Sequence, residues 1–307
     1  MSAATAPSLV ATYTAVPLEG LVGQDAVPFP LYLRTADNVW VLYRPAASLL
    51  DDGHLGRLVA EGVHQLYIRD ADRDAWFARV ESSLDRVLLD RTTPLERRAD
   101  VLHGVAARVA DDLLAAMPDR DQVQRAHKVM MATSGLLLRE TQGFRAVRRV
   151  LAASAGLAAH SLTTSFLAMG LARQALGADA GTLLWAGLAG LLHDVGRIGH
   201  EHVPHDDDPE HTLRGADYLK GLGVPPAVVE VARCHHECAD GSGRPQALRG
   251  SAIPELARVV ALCDRFEEIY SGQERRVGVF DALRILAQRH RGAFDDRLAQ
   301  GFVKLFR

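Results

Sequence analysis

Histidines and aspartates recur in this chain at positions where they could share metal ions. The pieces are His160, the adjacent pair His193-Asp194 in HDVGRIG, His211 in HTLRGADYL, the doublet His235-His236 in HHECADGSGRP, and Asp264 in ARVVALCDRF. Neutral imidazoles and carboxylates together suit borderline divalent metals such as iron, manganese or zinc. Two such ions held about 3.5–4 Å apart can carry an in-line phosphoryl displacement, one stabilising the attacking oxygen and the other the leaving oxygen. A single histidine is ordinarily a hydrogen-bonded core or surface residue. The ordered set is what points to a phosphodiester-cleaving centre.

Helices must position these groups. Val101, Val105, Val109 and Leu113 recur at helical spacing, and from there to the C-terminus no strand pattern persists. The long helix is predicted to start at Thr93-Pro94-Leu95-Glu96, a capping box with proline at the first helical position, and to end before Pro118. Ahead of it, 39–43 and Leu31-Tyr32-Leu33 are short β-branched and aromatic runs flanking Ala36-Asp37-Asn38, a hairpin signal. Residues 51–62 read as a helix, 65–69 as a third strand and 72–89 as a second helix. The first 25 or so residues are rich in Ala, Thr, Val and Pro with no sustained period, and read as a loose arm. The expectation is an α+β chain: a flexible arm over 1–25, a small α/β regulatory domain over 26–92 with about three strands and two helices, and an all-helical linker and catalytic bundle over 93–307.

From His160 to about Phe306 the chain resembles the HD-GYP family of metal phosphohydrolases, whose usual activity is hydrolysis of cyclic di-GMP. The likeness spans the ordered blocks above and continues into ALRILAQRHRGAFDDRLAQGFVKLF, which is similar to the family's closing helices. It implies that Asp194, whose two oxygens can serve two ions, bridges the pair. One ion would take His160, His193 and Asp264, and the other His211, His235 and His236, with hydrolysis by a hydroxide held between them. Iron is the expected metal, manganese or zinc the alternatives. The expected ligand is a cyclic dinucleotide.

The chain departs from the family at several points. Arg197 replaces the lysine of HDxGK. Arginine can neutralise phosphate charge but stays protonated, so it supplies no proton to a leaving alkoxide. Gly243-Arg244-Pro245 replaces Gly-Tyr-Pro, which removes the tyrosine from a loop proposed in the family to dock GGDEF cyclases. Gly156 stands where members with a third metal carry glutamate, which favours two ions. After the last ligand aspartate the family's Arg-Pro-Tyr-Arg aligns with Gln273-Glu274-Arg275-Arg276. Arg197, Arg244 and Arg276 are therefore the substrate-contact candidates, with Asp194 and Arg197 the catalytic ones.

The altered residues also fit a second class: a weak or inactive receptor for a cyclic dinucleotide, signalling to a protein partner through the N-terminal domain or the Gly-Arg-Pro loop. A third reading, an HD hydrolase of mononucleotides or alarmones, leaves the doublet and the glycine-rich loop without a purpose.

Composition narrows the field. The chain has 307 residues, of which 48% are hydrophobic and 24% charged. A chain of that size and make-up can build more than one core. A net charge of −3 gives no basic field for a nucleic-acid polymer. Three cysteines, an odd number, and no cationic leader predict a reducing cytoplasm. Residues 151–172 carry no formal charge, but His160 and a Ser-Leu-Thr-Thr-Ser run make a membrane span costly. A buried helix bearing a ligand is predicted instead. Cys234 and Cys238, four apart around the doublet, read as packing residues rather than zinc ligands. His200, His202 and His205 read as a solvated connector, with a lid over the metals as the sharper alternative. His54, His64, His103, His127 and His290 match no metal pattern.

Overall fold

The computed structural model describes residues 12–21, 26–37, 39–149, 156–200, 203, 208–272 and 277–306. Strands β1 (Tyr13–Pro17), β2 (Leu31–Arg34), β3 (Trp40–Arg44) and β4 (Gln65–Arg69) form one 4-stranded antiparallel sheet in the order β1-β4-β2-β3. Strict alternation builds β4: Leu66 and Ile68 are buried while Gln65 and Arg69 are exposed. Helix α1 (Asp52–Ala60) starts where the Asp51 side chain accepts the His54 amide at 2.7 Å. That cap satisfies one of the amides left free at a helix start. Helix α2 (Arg73–Leu89) buries Trp76, Val80, Leu84, Val87 and Leu88 at helical spacing.

The expectation of a loose arm over 1–25 is corrected for 13–21. Residues 13–17 pair with β4 from Tyr13↔Arg69 to Pro17↔Gln65, and Leu18 and Leu21 in the following turn are buried. The pairing partner lies some fifty residues along the chain, so local composition carried no sign of the strand.

The chain divides into two units, Met1–Val101 and Leu102–Arg307, and α3 (Leu95–Leu114) runs from one into the other. The second unit is helical: α4 (Arg120–Arg139), α5 (Gly143–Arg149), α6 (Leu157–Leu171), α7 (Ala180–Leu192), α8 (His211–Leu222), α9 (Pro226–Cys234), α10 (Glu255–Ser271), α11 (Val279–Arg289) and α12 (Asp296–Lys304). After Pro118, Asp119 and Gln122 form a reciprocal capping box that starts α4. Asp179 caps α7, its side chain accepting the Thr182 amide at 2.8 Å.

Helices α6 and α7 are the core of this unit. From Ser161 to Leu171 every residue of α6 is buried, and α6 packs on α7 and α10. A Cβ on Gly190 would stand 2.6 Å from the Ser165 Cα, so glycine is what lets α6 and α7 approach so closely. Polar groups inside find partners, as buried donors must. Ser165 Oγ, for example, donates to the Gly187 carbonyl at 2.7 Å. Among the described residues, no helix is long and apolar enough to cross a membrane. At the C-terminal end, the Phe302 ring of α12 meets Phe266 of α10 with centroids 4.9 Å apart.

Candidate metal centre

The helix ends converge. His160 lies in the first turn of α6, His193-Asp194 follow α7, His211 opens α8, His235-His236 close α9 and Asp264 lies within α10. Gly196 makes the convergence possible: a Cβ there would stand 2.0 Å from the His211 carbonyl oxygen and 2.7 Å from the Gly215 nitrogen. The HDVGR turn and α8 are thus in backbone contact, which brings Asp194 against His211.

Asp194 presents one oxygen to each of two histidine groups. Its Oδ2 lies 3.8 Å from Nε2 of both His160 and His193. Its Oδ1 lies 3.4 Å from Nε2 of both His211 and His235. On the first side His160 and His193 are 3.2 Å apart at Nε2, and Asp264 Oδ1 is 3.2 and 3.6 Å from them. On the second side, His211 Nε2 is 3.4 Å from His235 Nε2 and 3.1 Å from His236 Nε2. Donor atoms bound at about 2.0–2.1 Å to one ion, at octahedral to tetrahedral angles, stand about 2.8–3.4 Å apart. Most of the measured separations lie in that range, those from Asp194 Oδ2 being the widest, and the two clusters are capable of binding divalent ions.

The far side of most of these imidazoles is fixed. Nδ1 of His193 faces the Gly190 carbonyl at 2.8 Å, that of His235 the Ala232 carbonyl at 2.9 Å, and that of His211 the Asp208 carbonyl. Nδ1 of His160 meets the Glu267 carboxylate. Acceptors at Nδ1 put the proton there and turn the Nε2 lone pair inward, the tautomer a ligand needs.

Charge also converges. Asp194, Asp264 and Glu267 are 2%, 1% and 6% exposed. Carboxylates so deeply buried require cations or protons beside them. Burial opposes a charge on His160, yet Asp264 and Glu267 outweigh it and hold the imidazole well above its ordinary value. Burial likewise opposes ionisation of Asp264, while hydrogen bonds from His160 and His193 pull it well below the usual carboxylate range. The pocket stabilises positive charge at its centre.

The family model described as the HD domain matches residues 157–269, the segment that carries these groups. Residues 157–269 are an HD domain of the HD-GYP-like family. The cyclic di-GMP phosphodiesterase PA4108 of Pseudomonas aeruginosa is 36% identical over 162 residues, covering 47% of this chain and 38% of that protein. The 3'3'-cGAMP-specific phosphodiesterase 1 of Vibrio cholerae is 31% identical over 109 residues, 29% of this chain and 23% of that one. The chain thus matches well under half the length of these curated relatives. Among solved structures, Bd1817, an HDG"Y"P protein from Bdellovibrio bacteriovorus, shares the fold with a TM-score of 0.67 at 19% identity, over 96% of this chain and 99% of that one.

Within the HD domain, the structure brings together all the candidate ligands. Arg197 lies beside them, with Nε 3.8 Å from Asp194 Oδ2 and Nη2 donating to the Val203 carbonyl at 3.1 Å. Arg244 lines a cleft with His235, His236 and Asp264, and its amide donates to the His236 carbonyl at 3.1 Å. A Cβ on Gly243 would stand 2.2 Å from the Cys238 nitrogen, so the Gly-Arg-Pro loop lies directly on the doublet's backbone. Arg276, His202 and His205 lie outside the described residues.

The sequence reading missed the supporting residues. Glu267 holds His160 and is itself held by the Ser271 hydroxyl. Glu267 lies three residues after Asp264, a helical spacing that could have flagged it. Arg214 donates to the Gly196 carbonyl at 3.0 Å and pairs with Asp208, bracing the segment whose carbonyl holds His211. Glu237 accepts the amides of Gln246 at 2.7 Å and Leu248 at 2.8 Å, tying down the loop after the doublet. Arg265 and His290 line the cleft as well; both stand in the quoted blocks, but only the neighbouring Asp264 was given a role there.

Proposed function

We propose that the chain is a metal-dependent phosphodiesterase acting on a cyclic dinucleotide, cyclic di-GMP first among them. The observation that carries this reading is Asp194, with one oxygen toward His160 and His193 and the other toward His211 and His235. His160, His193 and Asp264 would hold one ion and His211, His235 and His236 the other, with iron, manganese or zinc suited to such donors. When bound, two such ions supply a nucleophilic hydroxide at neutral pH and positive charge against the phosphoryl oxygens.

The chain's own groups do the rest. The fixed Nδ1 partners keep the Nε2 atoms oriented, and Arg197 and Arg244 meet phosphate as permanent cations. Arg276 is kept as a third contact on sequence position alone. None of these arginines donates a proton, so the leaving 3′ oxygen takes its proton from solvent. The relatives named as cyclic di-GMP and cGAMP phosphodiesterases support the substrate class. Action in the cytoplasm fits three free cysteines, and the N-terminal unit is the candidate sensor or partner surface. The arginine at 197 favours a second reading, a receptor that binds the nucleotide without turnover.

The test is product analysis. After loading with Fe²⁺ or Mn²⁺, incubation with cyclic di-GMP and 3′3′-cGAMP should give linear products by chromatography, and Asp194→Ala or a chelator should abolish them. Binding with no product would favour the receptor. Hydrolysis confined to mononucleotides would sink both readings.

A further inference from the structure

A cavity of about 180 Å³ opens beside His235, His236 and Asp264, and the rest of its wall includes Arg244, Arg265, His290 and Phe294. Pockets that enclose a drug-sized ligand run to ~300–1,000 Å³. A whole cyclic dinucleotide therefore exceeds this half-open cavity, which can take in only part of one, such as a base or a phosphate of one nucleotide.

The wall has the chemistry to recognise one. Phe294 is a half-buried aromatic ring between α11 and α12. Such a ring is a platform on which a base can stack. Arg265 follows the ligand Asp264 on α10, and its Nη1 is held by Glu268 Oε2 at 2.8 Å. A guanidinium has five N–H donors in a fixed fork, more than that pair uses, so it can serve a phosphate while staying oriented. His290 is pushed below the ordinary imidazole value, by burial first and then by the Arg265 charge. At neutral pH it offers a donor and an acceptor to a base edge without adding charge.

We propose that Arg265 and Phe294 clamp one purine nucleotide of the ligand beside the metal centre, Arg265 on its phosphate and Phe294 on its base, leaving the second nucleotide outside the cavity. The clamp rests on the reading of the centre as a cyclic-dinucleotide site, and it assigns these residues a role in recognition rather than in metal binding.

Calorimetric titration of the metal-loaded chain with GMP and with inorganic phosphate tests it. GMP should bind at least about fivefold tighter than phosphate, the lower end of what one stacked base contributes. Phe294→Leu should erase that margin, and Arg265→Gln should weaken both ligands with the metal content unchanged. Phe294→Tyr, which keeps the ring, should retain the margin and guards against a folding effect. GMP binding no tighter than phosphate, or a margin that survives Phe294→Leu, overturns the clamp. Cyclic di-GMP turnover is a separate assay: its absence alongside the expected GMP pattern would sink the phosphodiesterase reading alone.

Discussion

Glu267 accepts a hydrogen bond from Nδ1 of His160, and Ser271 Oγ donates to the same carboxylate. One turn of α10 thus carries both Asp264, which faces the Nε2 atoms of His160 and His193, and the carboxylate that orients His160 from behind. Glu267→Gln removes the charge and lets an amide rotate its donor toward the ring. Outer partners of this kind typically contribute about 10–100-fold to metal affinity. Dialysis against a limiting chelator should therefore strip the His160 side first, leaving about one ion per chain by elemental analysis, in line with that loss. Two ions retained at unchanged affinity would show that Glu267 does not orient the ligand.

Gly196 has no room for a side chain. Both atoms that a Cβ would strike, the His211 carbonyl oxygen and the Gly215 nitrogen, are backbone and cannot swing aside. In Gly196→Ala the turn must move, and it carries Asp194 with it. Overpacking of this kind costs about 1–3 kcal/mol. The expected result is a lower denaturation midpoint together with weaker metal binding by the His211, His235 and His236 group. An unaltered midpoint and stoichiometry would mean that the turn is not wedged against α8.

What the sequence made legible was whatever its side chains advertise. His160, His193, Asp194, His211, His235, His236 and Asp264 stand in order among glycines and apolar runs, and the helical periods that carry them need no distant partner. The groups that hold those ligands left less trace. The carbonyls of Gly190, Asp208 and Ala232 are backbone atoms with no residue signature. Glu237 reaches amides at 246 and 248 only because the loop folds back over it. Strand β1 was hidden for a related reason: Tyr13 to Pro17 becomes a strand by pairing with β4, not by its own alternation. The membrane-like apolarity of α6, the described helix within 151–172, was resolved by packing, since α6 is buried among α7 and α10.

The cysteines should be unreactive in the folded chain. Burial, with smaller contributions from Glu230 and Glu237, pushes the Cys234 thiol up to about 11. Burial, with a smaller push from Asp264, drives Cys263 well above its usual value, and burial raises Cys238 as well. The thiolate is the nucleophile, and a raised value keeps each group protonated at about pH 8. A disulfide reagent at that pH should react slowly with the native protein, Cys238 first because it is only half-buried, and rapidly with all three thiols after denaturation. A fast native equivalent would contradict this account of their surroundings.

Arg197 decides whether this centre lacks an acid or has exchanged it for a clamp. Considered alone, a lysine at 197 would add a proton donor, so Arg197→Lys would raise turnover if protonation of the leaving oxygen were limiting. The geometry reverses the expected sign. Nη2 is fixed on the Val203 carbonyl and Nε faces Asp194, while Nη1 is buried without a hydrogen bond among the described residues. A buried donor of that kind is set to meet an anion, and a hydrogen bond to a charged group contributes about 1.5–3 kcal/mol. Lysine gathers its donors on one nitrogen and cannot hold Val203 while reaching a phosphate in the same plane. Arg197→Lys should thus lower kcat on cyclic di-GMP by about ten- to a hundredfold, the rate equivalent of that bond, with metal content unchanged. A rise in kcat at constant metal content would refute the clamp and show that proton supply limits the reaction.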